Sequence, residues 1–245
     1  MTRTTRRALA ALATLVPIAA AAQSAADVFA AGAVKTAVEA LLEGLPWTAR
    51  FGTVGALRDQ VLAGARPRVV LLSDDAIARL GAAGLLLPGS THPIGRTGVA
   101  LATRAGAPLP DISTPEALRA ALLAAPSFAY ADPARGATAG AHVGRLLESL
   151  GIAEAMRAKA RLVPFGVEGV TLAANGEVAL AASQATEIIG RPGVALVGFL
   201  PDPVQLWTPY AIAGLREAAD PLPLLGLFTA APARAAFAAI GFVSA

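Results

Sequence analysis

Residues 47–80 read WTARFGTVGALRDQVLAGARPRVVLLSDDAIARL and alternate between two structural patterns. Residues 47–51 can form a strand, and the apolar run at 69–72 is typical of a strand buried on both faces. Residues 55–63 between them have the composition of a helix, and Asp74 can cap a further helix after the second strand. Strands that alternate with helices predict a parallel sheet covered by helices. This stretch therefore predicts an α/β fold.

The same alternation continues on both sides of this stretch. Further strands are predicted at 27–30, 94–103, 128–131, 161–164, 178–182, 194–200 and 210–213. Further helices are predicted at 34–42, from Pro115 onward, and at 141–150, 169–174 and 232–240. One small sheet cannot hold so many elements, so the sequence predicts more than one α/β unit.

The composition favours a well-packed protein and excludes several functions. The chain has 245 residues, of which 55% are hydrophobic and 15% charged, so it can bury a sizeable core. Its formal charge of +3 rests on three arginines in the first 22 residues, and the remainder is neutral. A neutral body with two Trp and two Tyr lacks the cationic surface and the stacking groups that nucleic-acid binding requires. The absence of cysteine excludes disulfides, thiolate catalysis and zinc–thiolate sites.

The first 22 residues have the three parts of an export signal. Three arginines form a charged start, residues 8–19 are apolar, and Ala20 and Ala22 supply the small residues of an A-x-A cleavage site. Pro17 interrupts an apolar run that is already shorter than the roughly 20 residues of a membrane-spanning helix. We therefore predict a signal peptide at 1–22, cleavage after Ala22, and a periplasmic protein without stable membrane insertion.

Several motifs occur in the same order as in a known family. They are residues 29–33 (FAAGA), 51–57 (FGTVGAL) with Gln60, 63–65 (AGA), 69–74 (VVLLSD), Asp132-Pro133, 138–140 (TAG), Leu150-Gly151 and Gly176-Glu177. Together they extend over nearly the whole chain after the signal. In this order they resemble the periplasmic molybdate-binding proteins of ABC importers.

This resemblance implies the two-lobed, type II fold of periplasmic binding proteins. Two α/β lobes are joined by two crossing hinge strands, and the ligand lies in the cleft between the lobes. On this chain the first lobe would comprise residues 23–101 and a return segment at 206–245, and the second lobe residues 102–205. The resemblance also implies a monomer that delivers a small anionic ligand to an ABC permease.

The chemistry of such a cleft comes from helix N-termini. Backbone N–H groups in the first turn of a helix have no intrahelical partner and carry positive partial charge, so several helices aimed at one cleft can bind an oxyanion. Gly32, Thr53 and Ala139 stand at or just before such turns. By themselves these residues can equally be caps and turn residues. The resemblance favours a ligand site that includes Gly32, Ala33, Thr53, Val54, Thr138, Ala139, Gly166 and Gln184, and Ser183 would add a further neutral donor.

Three of these positions depart from the family pattern. Molybdate binders usually have serine hydroxyls where this chain has Ala33 and Val54, and many have a tyrosine where it has Gln184. Methyl and isopropyl groups donate no hydrogen bond, and one unpaired charged oxygen costs about 1–3 kcal/mol, or tenfold or more in affinity. We therefore expect weak binding of molybdate and tungstate and a different anion, such as a di- or tricarboxylate. A genuine molybdate or tungstate binder that uses backbone donors alone is an alternative.

Arg135 is the residue that we expect to clamp a carboxylate. It lies in the loop before the helix that begins near Ala139, and its planar guanidinium can donate two parallel hydrogen bonds. The alternative for Arg135 is a solvated loop cation, and Arg58, Arg96 and Arg104 are competing candidates for the clamp.

An enzyme is a second class of function that the sequence leaves open. Proteins that resemble molybdate-binding proteins include exported aconitate isomerases, which move a proton in a tricarboxylate without a cofactor. Such a reaction needs a base beside an acidic C–H, and Glu168 is the candidate base. No cofactor or metal is expected, since His92 and His142 lie far apart in the sequence without further ligands nearby. A receptor-type partner of a sensor is a third class.

Overall fold

The computed structural model describes residues 26–244, so the predicted signal peptide and its cleavage site lie outside the described residues. The strands are β1 Val28–Ala31, β2 Ala49–Gly52, β3 Val69–Ser73, β4 His92–Arg104, β5 Phe128–Ala131, β6 Ala160–Val163, β7 Leu180–Gln184, β8 Val194–Phe199 and β9 Trp207–Gly214. The α-helices are α1 Lys35–Leu42, α2 Val54–Leu62, α3 Asp74–Ala82, α4 Pro115–Ala124, α5 Thr138–Ser149, α6 Ala153–Arg157, α7 Gly166–Ala174, α8 Leu222–Thr229 and α9 Ala231–Ala239. Short 3-10 turns lie at Gly32–Val34, Pro133–Arg135, Ala185–Glu187 and Asp202–Val204.

The strands form a nine-stranded sheet in which two parallel parts are joined by antiparallel strands. The strand order is β2-β1-β3-β9-β4-β7-β5-β6, with β8 paired to β4. β1 runs parallel to β2 and β3, and β5 runs parallel to β6 and β7. β4 and β9 run antiparallel to each other between the two parts. The predicted α/β class and the two-lobed fold with two crossing strands are therefore confirmed.

β4 is the outward crossing strand because it changes partners along its length. Residues 92–98 pair with β9, whereas the residues from Val99 onward pair with β7 and β8. The chain returns at Gln205, whose side chain binds the backbone of the outward strand. The Val99 N–H donates to Gln205 Oε1 at 3.0 Å, and Gln205 Nε2 donates to the Val99 carbonyl oxygen at 3.0 Å. Gln205 thus fastens the two crossing segments to each other.

Each lobe has its own hydrophobic core. In the first lobe α1, α2, α3, α8 and α9 pack on β1, β3 and β9, with Leu71 and Phe237 fully buried. In the second lobe α4, α5 and α6 pack on β4, β5 and β7 around Phe128 and Met156. Leu101 already belongs to this second core. The exact segment boundaries, after residues 101 and 205, stay predictions.

Two helices were not predicted from the sequence, and α5, α7 and β4 begin two or three residues earlier than expected. α6 has five residues, and α8 contains Pro223 and Gly226, which favour turns. Proline is tolerated in the first turn of a helix, and burial of Phe228 stabilises α8 against the core. α7 begins at Gly166 and β4 at His92.

Among the described helices none is long and apolar enough to cross a bilayer alone, and only α8 and α9 together, bent by 58°, meet that criterion.

Candidate functional site

A small cavity of about 40 Å³, the cleft cavity, lies between the two lobes. It is bounded by the carboxyl ends of β1, β2, β5 and β7 and by the segments that follow them. Ligand sites of α/β proteins occur at this edge because neighbouring parallel strands end together there. Its wall consists of Ala31, Gly32, Ala33, Gly52, Thr53, Val54, Ala131, Ala137, Thr138, Ala139, Phe165, Gly166, Ser183, Gln184, Glu187 and Tyr210. Every residue predicted from helix ends and neutral donors lies in this wall, and its role in binding stays a prediction.

Three α-helices begin at the cleft cavity. α2 begins at Val54 behind its cap Thr53, α5 begins at Thr138, and α7 begins at Gly166. A 3-10 turn that begins at Gly32 lies beside them. Because the first-turn N–H groups of helices lack intrahelical acceptors and carry positive partial charge, these ends together favour a negatively charged group in the cavity.

Two hydrogen bonds join the lobes beside the cavity. Thr53 Oγ1 donates to the carbonyl oxygen of Arg135 at 2.6 Å, and the Gly55 N–H donates to the carbonyl oxygen of Gly136 at 3.1 Å. The two glycines are so close that a Cβ on Gly55 would lie 3.0 Å from Gly136 Cα. Side chains larger than hydrogen at these positions would therefore hold the lobes apart. The lobes are closed on each other in this structure.

Glu187, which was not predicted from the sequence, is the one carboxyl group that the described residues place in the cavity wall. It ends a 3-10 turn directly after β7, and this turn brings its side chain to the cavity. The hydroxyl of Ser183 donates a hydrogen bond to it. Burial raises the pKa of the Glu187 carboxyl, while the Ser183 hydrogen bond and the Arg191 guanidinium act in the opposite direction. Glu187 therefore takes up a proton more readily than an exposed glutamate does.

Gly32 and Gly166 leave the space that the Glu187 carboxyl occupies. A Cβ on Gly32 would lie 2.6 Å from Glu187 Oε1. A Cβ on Gly166 would lie 2.5 Å from Glu187 Oε2 and would also collide with the hydroxyl of Ser183. Any side chain at either glycine would displace the carboxyl. The carboxyl thus lies against a helix start from each lobe.

Tyr210 and Gln184 complete the polar part of the wall. Tyr210 is 2% exposed, and burial together with the charge of Glu187 raises the pKa of its phenol, which therefore stays protonated. Gln184 Nε2 donates to Thr208 Oγ1 at 3.3 Å, whereas Gln184 Oε1 has no hydrogen-bond partner among the described residues. Gln184 is 4% exposed, so this oxygen is a buried acceptor beside the cavity.

The structure does not bring Arg135 or Glu168 to the wall of the cleft cavity. Both residues are exposed, and Arg135 meets the other lobe only through its carbonyl oxygen. Arg58 lines a neighbouring cavity of about 280 Å³, which shares Val54 and Thr138 with the cleft cavity. Arg79, Asp74 and Asp75 also line this neighbouring cavity.

The other candidate cations and the histidines lie elsewhere. The Arg96 guanidinium lies 5.0 Å from the centre of the Trp207 ring, and Arg104 lines a groove on the second lobe. The His142 ring binds a backbone carbonyl oxygen, and His92 is exposed. Within residues 26–244 no group of three His, Cys, Asp or Glu side chains is placed to hold a metal ion.

One sequence signal could have identified Glu187. Residues 178–189 read VALAASQATEII, in which Glu187 is the only charged residue. A charge in an apolar segment at the end of a predicted strand has to be exposed, paired or functional, because burying it alone is costly. The family pattern points instead to Gln184, which lies three residues before Glu187.

The fold and the cleft together define the class of protein. Two α/β lobes with crossing strands and a cavity ringed by helix starts form a binding protein of the periplasmic type. A family model for bacterial extracellular solute-binding proteins matches residues 18–243, and this chain belongs to that family. Membership indicates an extracellular protein that binds a solute.

Three relatives show how far the likeness extends. The structure is similar to the periplasmic molybdate-binding protein of Azotobacter vinelandii, with a TM-score of 0.72 and 19% identity over 89% of this chain and 98% of that one. It is also similar to PEB3 of Campylobacter jejuni with bound L-phospholactate, with a TM-score of 0.64 and 15% identity over 89% of this chain and 99% of that one.

The sequence is 34% identical to an aconitate isomerase from a Pseudomonas species over 154 residues. These residues are 62% of this chain and 57% of the isomerase, so the match spans little more than half of that enzyme. The resemblance to molybdate-binding proteins and to aconitate isomerases is thus confirmed.

Proposed function

We propose that this protein captures a small organic carboxylate, rather than molybdate, in the cleft cavity and delivers it as a monomer to an ABC permease. The observation that carries this proposal is the mixed lining of the cavity wall. Helix starts and the Glu187 carboxyl lie in the same wall as the side chains of Ala33 and Val54, which supply carbon and no hydrogen-bond donor. A small organic carboxylate matches this lining, because its carboxyl oxygens are charged and its carbon chain is apolar.

A tetrahedral oxyanion fits this wall poorly. It carries charge on every side and needs donors all around, whereas Ala33 and Val54 offer none. A carboxylate avoids this cost, because it carries its charge at one end and its carbon chain can touch the apolar residues.

The size of the cavity favours binding of one carboxyl group with its adjacent carbon. A water molecule needs roughly 10–15 Å³ of such space, so about 40 Å³ corresponds to a few heavy atoms. A longer di- or tricarboxylate would extend past Val54 and Thr138 into the neighbouring cavity of about 280 Å³. Two cations line that cavity and would attract a second carboxylate, Arg58, which is paired with Asp59, and Arg79.

An isomerase is the second candidate function, and two observations favour it. The cavity contains a carboxyl group, Glu187, whose pKa is raised by burial, and the chain is similar to an aconitate isomerase. Capture and isomerisation of a carboxylate would use the same cavity.

A thermal-shift screen followed by calorimetry tests the proposal. The compounds are molybdate, tungstate, sulfate and a series of mono-, di- and tricarboxylates. A ligand at 100 times its Kd stabilises the folded state by about 2.7 kcal/mol, which is a clear rise in melting temperature. We expect the rise with at least one carboxylate. A rise with molybdate or tungstate and none with any carboxylate would overturn the proposal.

Two glycine variants locate the binding. In Gly166→Ala the new methyl group displaces Ser183 and Glu187, so the rise caused by the carboxylate should disappear. Gly226→Ala is the matched control, since Gly226 is an exposed helical residue with no atom within 4 Å of its added Cβ. This control should keep the full response. A full response in Gly166→Ala would place the ligand elsewhere, and loss of the response in both variants would show that the loss does not come from the cavity.

A further inference from the structure

We propose that the Glu187 carboxylate is the catalytic base and acid that moves a proton between two carbons of a bound unsaturated carboxylate. This inference rests on the proposed function, because the substrate must first bind in the cleft cavity. The structure assigns the role to Glu187 by placement. Its carboxyl is the one that the described residues bring into the cavity, and it lies against Gly32 of the first lobe and Gly166 of the second.

The surroundings of Glu187 suit a group that exchanges protons. Ser183 donates a hydrogen bond to the carboxyl and fixes its orientation, so Ser183 is a positioning residue. Arg191 is a nearby cation, and its Nε donates to the backbone carbonyl oxygen of Glu187 at 3.0 Å. The Tyr210 phenol faces the same cavity and stays neutral because of its burial. Burial of Glu187 makes its ionised form a stronger base than an exposed glutamate.

The reaction is a proton shift along three carbons. Glu187 takes a proton from the CH₂ group that lies between a carboxylate and a C=C bond, so a C–H bond breaks and an O–H bond forms. The electron pair delocalises over the three carbons and the attached carboxylate. The Glu187 O–H then returns the proton to the far carbon, and the double bond moves by one position. No oxidation occurs, no other reactant is needed, and Glu187 ends in its starting form.

The helix starts stabilise the intermediate. As the proton leaves, negative charge grows on the oxygens of the substrate carboxylate. N–H groups at the starts of α5 and α7 line the cavity and are fixed before the reaction, so they stabilise this charge without rearranging. The helix starts that would bind an anion would thus also stabilise the negatively charged intermediate.

Deuterium exchange measures this step directly. Each geometric isomer of aconitate is incubated with the full-length mature protein in D₂O, and proton NMR records both deuterium uptake and conversion to the other isomer. Calorimetry measures the Kd of each isomer in parallel. We expect both exchange and conversion with the wild type. Glu187→Gln should lower both rates by about 100-fold or more, the usual contribution of a general base, while its Kd changes much less.

Two further variants separate catalysis from packing. Glu168→Gln removes an exposed carboxyl on α7 and should keep the wild-type rates. Ser183→Ala keeps the base but loses its hydrogen bond, so the rise of the rate with pH should move to higher pH. A melting temperature for each variant confirms that it is folded.

The outcomes distinguish the two proposals. Binding of aconitate without deuterium exchange, or equal exchange rates in wild type and Glu187→Gln, would overturn the proton transfer and leave carboxylate capture intact. Failure of every carboxylate to bind would overturn both.

Discussion

The Thr53 hydroxyl donates a hydrogen bond of 2.6 Å to the carbonyl oxygen of Arg135, a residue 82 positions later in the opposite lobe. The same hydroxyl oxygen accepts a hydrogen bond from the Ala56 N–H at 3.2 Å and so caps α2. One side chain therefore starts a helix at the ligand cavity and holds that cavity closed. The cap stabilises open and closed forms alike, whereas the bond to Arg135 stabilises only the closed form.

We expect Thr53→Ala to have two separable effects. Loss of the cap should lower the free energy of unfolding by about 1 kcal/mol. Loss of the bond to Arg135, worth about 1 kcal/mol, should reduce the ratio of closed to open molecules about fivefold. Urea unfolding measures the first effect. Small-angle X-ray scattering of the ligand-free protein measures the second, as an increased radius of gyration.

Thr114→Ala is the matched control for this prediction. Thr114 caps α4 in the same way, by accepting from the Ala117 N–H at 3.1 Å, but it lies on the exposed surface of the second lobe. It should lose about 1 kcal/mol of stability through its cap alone and keep the wild-type radius of gyration. Equal radii for all three proteins would show that the Thr53 bond does not hold the cleft closed.

Restoring the two missing hydroxyls should increase the affinity for molybdate. We expect the wild type to bind molybdate more weakly than about micromolar. The double variant Ala33→Ser with Val54→Ser should bind it at least tenfold more tightly, because a hydrogen bond to a charged oxygen contributes about 1.5–3 kcal/mol. Calorimetry measures both constants. Nanomolar affinity in the wild type would mean that backbone donors suffice and that these substitutions do not set the ligand.

Ala40→Ser is the control for the added hydroxyls. Ala40 is an exposed residue of α1, so the hydroxyl of a serine at this position would point to solvent. This variant should bind molybdate as weakly as the wild type does. An equal gain in Ala40→Ser would show that the gain does not come from the cavity.

Local chemistry in the sequence marks one helix start of the cavity, and the family resemblance supplied the others. Thr53 caps α2 through its side chain, whereas the cap residue of α5 is Ala137, which makes no side-chain cap hydrogen bond. The two strand crossings followed from the family resemblance and not from the local pattern. No feature of 92–104 in the sequence shows that β4 changes partners midway.

Arg135 and Glu187 show where sequence reasoning stops. Arg135 ends a 3-10 turn that Asp132 caps, and Gly136 then reverses the chain with a φ of 73°, so the carbonyl of Arg135 faces the other lobe while its side chain is exposed. Glu187 reaches the cavity because another such turn follows β7. The direction of a side chain after a tight turn depends on tertiary packing, which spacing along the sequence does not encode.

Asp27 gives a prediction about stability and pH. Its carboxylate accepts from Arg68 Nε at 2.8 Å and from the Thr48 N–H at 3.0 Å. Burial acts to raise the pKa of Asp27, but the hydrogen bonds from Thr48 and Arg68 outweigh it, and the pKa lies below its usual value. A lowered folded-state pKa stabilises the protein above the unfolded pKa, and this stabilisation is lost as the pH falls through the folded pKa.

Asp27→Asn should therefore lower the free energy of unfolding by about 1 kcal/mol at pH 7 and lose less stability than the wild type on acidification. Urea titrations from pH 7 down to pH 3 measure this. Glu154→Gln removes an ion pair whose partners, Glu154 and Arg157, are 84% and 75% exposed, and it should change stability by less than about 0.5 kcal/mol. The same loss in both variants would mean that Asp27 acts only as a surface charge.

Glu187→Gln should show the opposite dependence on pH. Burial raises the folded-state pKa of Glu187, so the wild type should lose stability as the pH rises from the unfolded pKa through the folded one. Glutamine has the same shape and cannot ionise. We expect equal stabilities at pH 4 and a more stable variant at pH 8, measured by urea unfolding of the ligand-free proteins. Parallel pH profiles would show that the carboxyl is not sequestered in the cavity. A charge that costs stability at neutral pH needs another reason to be there, and loss of proton exchange in the more stable variant would identify that reason as function.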